Sequence, residues 1–432
     1  MSSPFVCVRA PLYLKMKVMF LRRYLLVVKD PVWSKVITLS LALFFVMFAD
    51  AVVSFWAPNL LQDAFQSSIV MGLVMGFSSI VGFVMDLVFP SLLRNITVRR
   101  MVLLAILTSL VTMLALFGAS LKPVLFIFLL AMALWGVYYE FEAFACQQFV
   151  ADSVPVKARS GAWGIIGVFK NLAYFLGPLV AAWLIIKGDW LVAIFILVLL
   201  WAGFVVITAS GKSHEHPMEV DITEINLWRE MQHWWVLGVH VWPAIIMSLL
   251  VGAIDAVFWT TGAVWTEALA RQNPLGAMFL PLYSLPPLFL GVLMVKLGIY
   301  KGKKKLAEIF LILTGVVLAG LYFSGGVIWQ LVIVLVSSIM LSIAFPLIEG
   351  VYSDIVARLG QERKHMIGLT SSVLSFAYIV MPPLAGFLTH SFGERMTFTL
   401  IGLATAVISF LLLFVTPKKL KLPQEEIKEW QD

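Results

Sequence analysis

The sequence predicts an all-α polytopic membrane protein, with twelve transmembrane helices arranged as two pseudo-symmetric six-helix bundles. Three observations carry that prediction. The 432 residues are 61% hydrophobic and only 13% charged, with a mean hydropathy of +0.97. A soluble chain is nearer a quarter charged, so a water-facing surface cannot be built from this composition. Apolar stretches long enough to cross hydrocarbon, about 20 residues rising 1.5 Å each, recur twelve times along the chain. The two halves also echo each other: Asp50-Ala51-Val52-Val53-Ser54-Phe55-Trp56 returns as Asp255-Ala256-Val257-Phe258-Trp259, its aspartate 205 residues later.

The elements follow in order. Residues 1–34 carry Arg9, Lys15, Lys17, Arg22, Arg23 and Lys29 among apolar residues, without a clean apolar core and small-residue cleavage site. This reads as a basic cytoplasmic segment lying on an anionic inner leaflet rather than a cleaved leader. Spans are expected at 35–57, 68–90, 99–119, 123–148, 160–186 and 190–210, making an N-terminal bundle over 35–210. A second set at 243–266, 275–297, 306–325, 328–351, 367–390 and 396–416 makes a C-terminal bundle over 243–416. Gly, Pro and charge clusters such as Leu121-Lys122-Pro123, Lys187-Gly188-Asp189 and Ser324-Gly325-Gly326 punctuate the junctions. The polar stretch 211–242 reads as a cytoplasmic linker, partly helical, and 417–432 as a cytoplasmic tail. With the N-terminus inside, the outer loops hold only Lys122, Lys187, Arg271 and Arg395, so the positive-inside bias places both termini in the cytoplasm. Cys7 and Cys146 are too few for a disulfide framework.

The junction between the fourth and fifth spans reads Ala151-Asp152-Ser153-Val154-Pro155-Val156-Lys157-Ala158-Arg159-Ser160-Gly161. The second half repeats it loosely as Ser353-Asp354-Ile355 followed by Glu362-Arg363 and Gly368. Asp152 and Asp354 are 202 residues apart, Arg159 and Arg363 204. Twelve spans in two repeated halves, joined by a cytoplasmic linker and carrying this Asp, Pro, Arg-Gly pattern, resemble the major facilitator superfamily of secondary transporters. The resemblance covers nearly the whole chain after about residue 32. The family's signature between spans two and three is present in distorted form: Gly82 and Asp86 are spaced as it requires, while Arg94, Arg99 and Arg100 come late. Gly291 to Gly298, followed by Lys301, Lys303, Lys304 and Lys305, is the counterpart without the acid. The resemblance implies that Asp86, Arg94, Arg99, Arg100, Asp152, Arg159, Asp354 and Arg363 belong to gating loops, where a carboxylate facing arginines can hold the halves together. Purely topogenic charge is the competing role. Gly177-Pro178 is a reduced form of the family's exporter motif, a weak guide to direction.

Charges inside the spans are costly, about 2.5–3.5 kcal/mol for an Asp at a helix centre, and so mark function or specific bonding. Asp50 lies roughly 22 Å along its helix from Lys35, and Asp255 roughly 18 Å from Pro243. Both read as proton- or cation-coupling carboxylates, with a structural hydrogen bond to a neighbouring helix as the alternative. Glu142 and Lys170 fall at matching depths on spans four and five, where an ion pair is expected near the midplane. Glu140, about 200° further round, is the alternate partner. Glu140, Glu142, Lys170, Tyr139, Trp56 and Trp259 are therefore expected to line a substrate cavity, and Glu142 to join the coupling set. Glu349 reads as snorkelling to the inner surface. His214 and His216 read as solvated linker residues rather than a metal pair.

No Walker-type phosphate loop, metalloprotease signature or nucleophile elbow is present, and there is no sizeable soluble domain to hold a cofactor. No enzyme, cofactor, metal or nucleic-acid partner is expected. The resemblance implies a secondary active transporter of a small organic solute in the cell (inner) membrane, working by alternating access and proton-coupled. An acid-rich aromatic cavity leans the expected solute towards an amphipathic or cationic compound exported against protons. The same-fold alternative is proton-coupled uptake of a sugar, peptide or organic acid, and the different-class alternative is a non-transporting sensor or scaffold.

Overall fold

A computed structural model describes residues 31–92, 96–155, 159–209, 227–297, 302–359 and 363–415. The basic segment up to residue 30, most of the expected linker, the tail and Arg94 lie outside the described residues. Thirteen α-helices run in order among them: α1 Pro31–Phe65, α2 Ser68–Leu92, α3 Val98–Leu121, α4 Leu125–Ser153, α5 Arg159–Ile185, α6 Asp189–Ala209, α7 Leu227–Trp259, α8 Thr261–Gln272, α9 Phe279–Leu297, α10 Lys303–Ala319, α11 Val327–Leu359, α12 Arg363–Phe392 and α13 Glu394–Val415. No strand occurs among the described residues. Hydrocarbon offers the backbone no partners, so a helix that closes its own hydrogen bonds is the available spanning element. Eleven of the described helices are long and apolar enough to cross a membrane, and the start of α9 supplies a shorter apolar one. Internal prolines fall in α1 (Pro58), α5 (Pro178), α7 (Pro243), α9 (Pro286-Pro287), α11 (Pro346) and α12 (Pro382-Pro383).

The seventh span is broken, where the sequence suggested one helix over 243–266. Thr260, with φ −111° and ψ −86°, separates α7 from α8. Its hydroxyl bonds back to the Ala256 carbonyl at 2.7 Å, and Thr261 and Gly262 follow. β-branched hydroxyl residues and glycine weaken the helical ladder locally, which accounts for the break. At its other end α7 begins at Leu227, inside the stretch read as linker.

Packing repeats between the halves. In the first, α1 lies on α5 and α6, α3 on α4 and α6, and α2 on α4. In the second, α7 lies on α12, α10 on α11 and α13, and α9 on α11. Helices in corresponding places thus make corresponding contacts. The bundles meet along α2 against α12, α5 against α9, and α1 against α8.

The α2–α12 seam is the tightest. A Cβ on Gly72 would run into the Pro382 carbonyl oxygen, and one on Gly386 into that of Ser68. Small residues let helix backbones approach where lipid provides no hydrophobic drive for association. This seam lies at the end of the molecule that carries the Gln66-Ser67 turn. At that end Asn59 also donates to the Ala263 carbonyl across the halves, at 3.4 Å. At the opposite end Lys303 meets Asp354 at 2.8 Å and Arg99 meets the Thr208 carbonyl at 3.1 Å, each contact within one bundle.

Candidate functional site

Asp50 sits midway along α1 and is 1% exposed. Its carboxylate is held by donors from two other helices: Trp135 Nε1 on α4 reaches Oδ1 at 2.6 Å, and the Tyr174 hydroxyl on α5 donates to Oδ2. Tyr139 stands beside them, its ring centroid 5.5 Å from that of Trp135. A buried carboxylate persists only where such donors replace water.

Asp255 on α7 is built the same way. The Tyr283 hydroxyl on α9 donates to Oδ1 at 2.5 Å, and the Tyr378 hydroxyl on α12 donates to Oδ2. Tyr174 and Tyr378 are 204 residues apart on corresponding helices, so the Asp–Tyr couple is duplicated with the fold. The second donors, Trp135 and Tyr283, come from helices that do not correspond.

A glycine–alanine contact sets each couple. A Cβ on Gly177 of α5 would run into the Ala51 Cβ on α1, next to Asp50. A Cβ on Gly252 of α7 would fall 2.7 Å from the Ala377 Cβ on α12, next to Tyr378. The glycine lies on the tyrosine helix in one half and on the aspartate helix in the other. The outcome is the same in both: two backbones close enough for a hydroxyl to reach a carboxylate.

The two couples meet across the bundles. The Tyr174 ring packs edge-on against Trp259, centroids 5.2 Å apart and planes at 76°. Lys170, one turn before Tyr174 on α5, is exposed, with its ammonium 5.9 Å from the Tyr174 ring centroid. It is close enough to act electrostatically on both Asp50 and Asp255.

The remaining expected residues fall in several places. Glu142 and Lys170 do not form the ion pair the sequence suggested. Glu142 is buried and takes the Cys146 thiol at 3.1 Å, while Lys170 shares the face of Tyr174 through i,i+4 spacing. Glu140 turns the other way and lies against Asp86 on α2. Gly82 leaves the room: a Cβ there would lie 3.1 Å from Glu140 Oε1. Asp86, expected opposite arginines, thus lies against an acid of α4.

Trp56 does not match Trp259. Trp56 follows its aspartate by six residues and Trp259 by four, a difference of about 200° round a helix. Trp56 is fully buried and donates to Asp189 Oδ1 at 2.8 Å, at the start of α6. Trp259 faces the other bundle. Among the gating-loop residues, Arg99 bonds the Thr208 carbonyl and Arg100 is exposed. Arg159 donates to the Val154 carbonyl at 3.3 Å, and Asp354 pairs with Lys303. The side chains of Asp152 and Arg363 lie outside the described residues. No group of three or more metal-ligating side chains occurs among the described residues. Two surface clefts of about 470 and 460 Å³, one flanked by Trp234 and Trp242 and one by Gln330 and Arg395, do not include the aspartates.

The sequence singled out both aspartates but not the residues that bond them, Trp135, Tyr174, Tyr283 and Tyr378. The signal for Tyr174 and Tyr378 was available: their 204-residue offset equals that of Arg159 and Arg363.

Two six-helix halves that repeat each other's contacts, with buried charge at their seam, define a polytopic membrane protein of the transporter class. The family model for the Major Facilitator Superfamily matches residues 39–279 and 244–432, and the chain belongs to that superfamily. No curated protein matches it by sequence. Among solved structures it is similar to the human organic anion transporter MFSD10 (TETRAN), with 15% identity, TM-score 0.61, and coverage of 89% of this chain and 100% of that one. It is also similar to a mutant form of the peptide transporter POT, with 16% identity, TM-score 0.69, and coverage of 89% and 94%. The nucleoside transporter NupG gives 13% identity, TM-score 0.64, and coverage of 88% and 100%. At these identities the likeness is one of fold.

Proposed function

We propose that this chain is a secondary active transporter that moves a small organic solute by alternating access, with protons as the coupling ion. It is not an enzyme, and it resides in the cell (inner) membrane with both termini cytoplasmic and its basic segment on the anionic leaflet. The observation that carries the reading is the duplicated Asp–Tyr couple at the seam of two bundles, its carboxylate buried at Asp50 and half-buried at Asp255. A carboxylate enclosed by neutral donors takes up or releases a proton when its surroundings change. Asp50 and Asp255 are placed where relative movement of the bundles changes those surroundings, so proton occupancy favours one state over the other. Glu142, buried within the same bundle as Asp50, completes the coupling set. With the positive-inside orientation, the tight α2–α12 seam closes the outer side.

The cationic solute suggested by acid count is less well supported than the alternative, uptake by proton symport. Asp50 and Asp255 have both oxygens engaged by tyrosine and tryptophan donors, and Glu140 is engaged by Asp86. Lys170 is the exposed charge among them. The test is solute flux into proteoliposomes under an imposed pH gradient. The reading expects accumulation that collapses when a protonophore dissipates the gradient. Absence of gradient-dependent flux across a panel of sugars, peptides, organic acids and amines would overturn it.

A further inference from the structure

Lys170 and the two aspartates define the kind of solute more narrowly. We propose that Lys170 is the anchor for an anionic group on the transported solute, and that its hold on that anion is set by the protonation of Asp50 and Asp255. The inference rests on the transporter reading above and names the substrate class of the same site.

The charges near the seam differ in how open they are to a solute. Asp50 is enclosed, and its oxygens are taken by Trp135 and Tyr174. Those of Asp255 are taken by Tyr283 and Tyr378. A cation would have to displace a hydroxyl or indole donor to reach either carboxylate, leaving that donor unmade. Lys170 differs: its ammonium is exposed, has an aromatic ring beneath it, and forms no ion pair with a described acid. The Tyr174 and Trp259 rings beside it offer an apolar, stacking surface next to one positive charge. That combination suits a carboxylate or comparable anion carried on an organic skeleton.

Two carboxylates compete with a solute anion for Lys170. Asp50 and Asp255 both act on it from opposite bundles. Glu142 and Cys146 also lie in this field, from α4. The other ionisable groups facing Asp50 are Tyr138, Tyr139 and Tyr174, and those facing Asp255 are Tyr283 and Tyr378. All five are phenols, neutral near pH 7. While the aspartates are ionised, their negative field opposes an incoming anion and partly satisfies the ammonium. Protonating either one removes a unit of that field, so the anion binds more tightly. Linkage is reciprocal: the bound anion strengthens proton binding by the same factor. Anion and proton therefore load together, which is symport. A solute cation at this place would compete with the proton and give exchange.

The test uses the full-length chain in detergent and in proteoliposomes. The probes are sets matched in skeleton: N-acetyl amino acids and aromatic carboxylates that stay ionised over the pH range used, their primary amides, and the corresponding amines. Thermal stabilisation and flux are the readouts. The expected result is that a carboxylate binds at least tenfold more tightly than its amide. Lys170→Gln removes that preference, Lys170→Arg retains part of it, and carboxylate affinity rises severalfold between pH 8 and pH 5.5. Asp50→Asn or Asp255→Asn alone should raise the affinity at pH 8 part of the way to its low-pH value, and the double variant most of the way, a readout that a merely structural lysine would not move. Gradient-driven flux of an amine or amide that Lys170→Gln leaves unchanged would overturn this inference and leave the transporter reading standing. Carboxylate affinity that rises with pH would overturn the linkage. If no probe of any charge binds or moves, both readings fall.

Discussion

Tyr174 and Trp259 touch edge-to-face, their ring centroids 5.2 Å apart, and they do so from opposite bundles. Each belongs to the surroundings of an intramembrane aspartate: Tyr174 donates to Asp50, and Trp259 lies one helical turn beyond Asp255 on the same helix. A relative rotation of the bundles cannot leave this contact unchanged. The contact therefore joins the event that any transport cycle needs, movement of one half past the other, to the two groups that can register it.

Replacing either aspartate by asparagine keeps the size of the side chain and removes the ionisable group. Asp50→Asn and Asp255→Asn should abolish proton-driven accumulation, by at least tenfold in initial rate, while solute exchange at equal pH survives. Radiolabelled flux with and without a pH gradient checks this. Loss of exchange together with accumulation would assign the carboxylates a structural role instead.

The tyrosine couples predict a graded pair of stability effects. Tyr174→Phe leaves the buried Asp50 carboxylate short of one donor, at a cost of about 1–3 kcal/mol. Tyr378→Phe should cost less, because Asp255 is half-buried and water can take the place of the lost hydroxyl. Thermal melts of the purified variants in detergent measure them.

The glycines predict a contrast. Gly177→Ala and Gly252→Ala act inside a bundle, where the new Cβ meets Ala51 or Ala377. They should lower the melting temperature by forcing α1 from α5, or α7 from α12. Gly72→Ala and Gly386→Ala act between bundles, where the new Cβ meets the Pro382 or Ser68 carbonyl oxygen. These should leave each bundle intact and open the seam at the Gln66-Ser67 end. Accessibility of cysteines introduced on the facing surfaces of α2 and α12 reports that opening.

Lys303→Ala should matter little. Its partner Asp354 is 61% exposed, and exposed ion pairs contribute about 0–1 kcal/mol. A melting temperature within about 2 °C of the unchanged protein is expected, and a larger loss would give this pair a role in holding α10 to α11.

The architecture could be read from the residues because its signals are periodic and local. Twelve apolar stretches, the aspartate repeat and the offsets of 202 and 204 in the loops all require only counting. The break at Thr260 was less visible, since Thr260, Thr261 and Gly262 are each tolerated in a helix and only together favour an interruption. The pairing of Glu140 with Asp86 was hidden for a different reason. Two acids would be expected to avoid each other, and nothing in the spacing shows that Gly82 leaves room for the Glu140 carboxyl beside α2.

The sequence by itself determined that this is a duplicated, membrane-spanning helical protein and that Asp50 and Asp255 lie in matching places within it. Burial cost and chain periodicity are properties of single segments, and single segments are what a sequence displays. Only the tertiary structure decided what the aspartates bond to, that Trp56 and Trp259 face different ways, and that Lys170 stands over Tyr174 rather than against Glu142. Those outcomes depend on which helices touch and at what rotation. Gly177 against Ala51 and Gly252 against Ala377 set that rotation, through backbone approaches that separate parts of the chain make only after the bundles have formed.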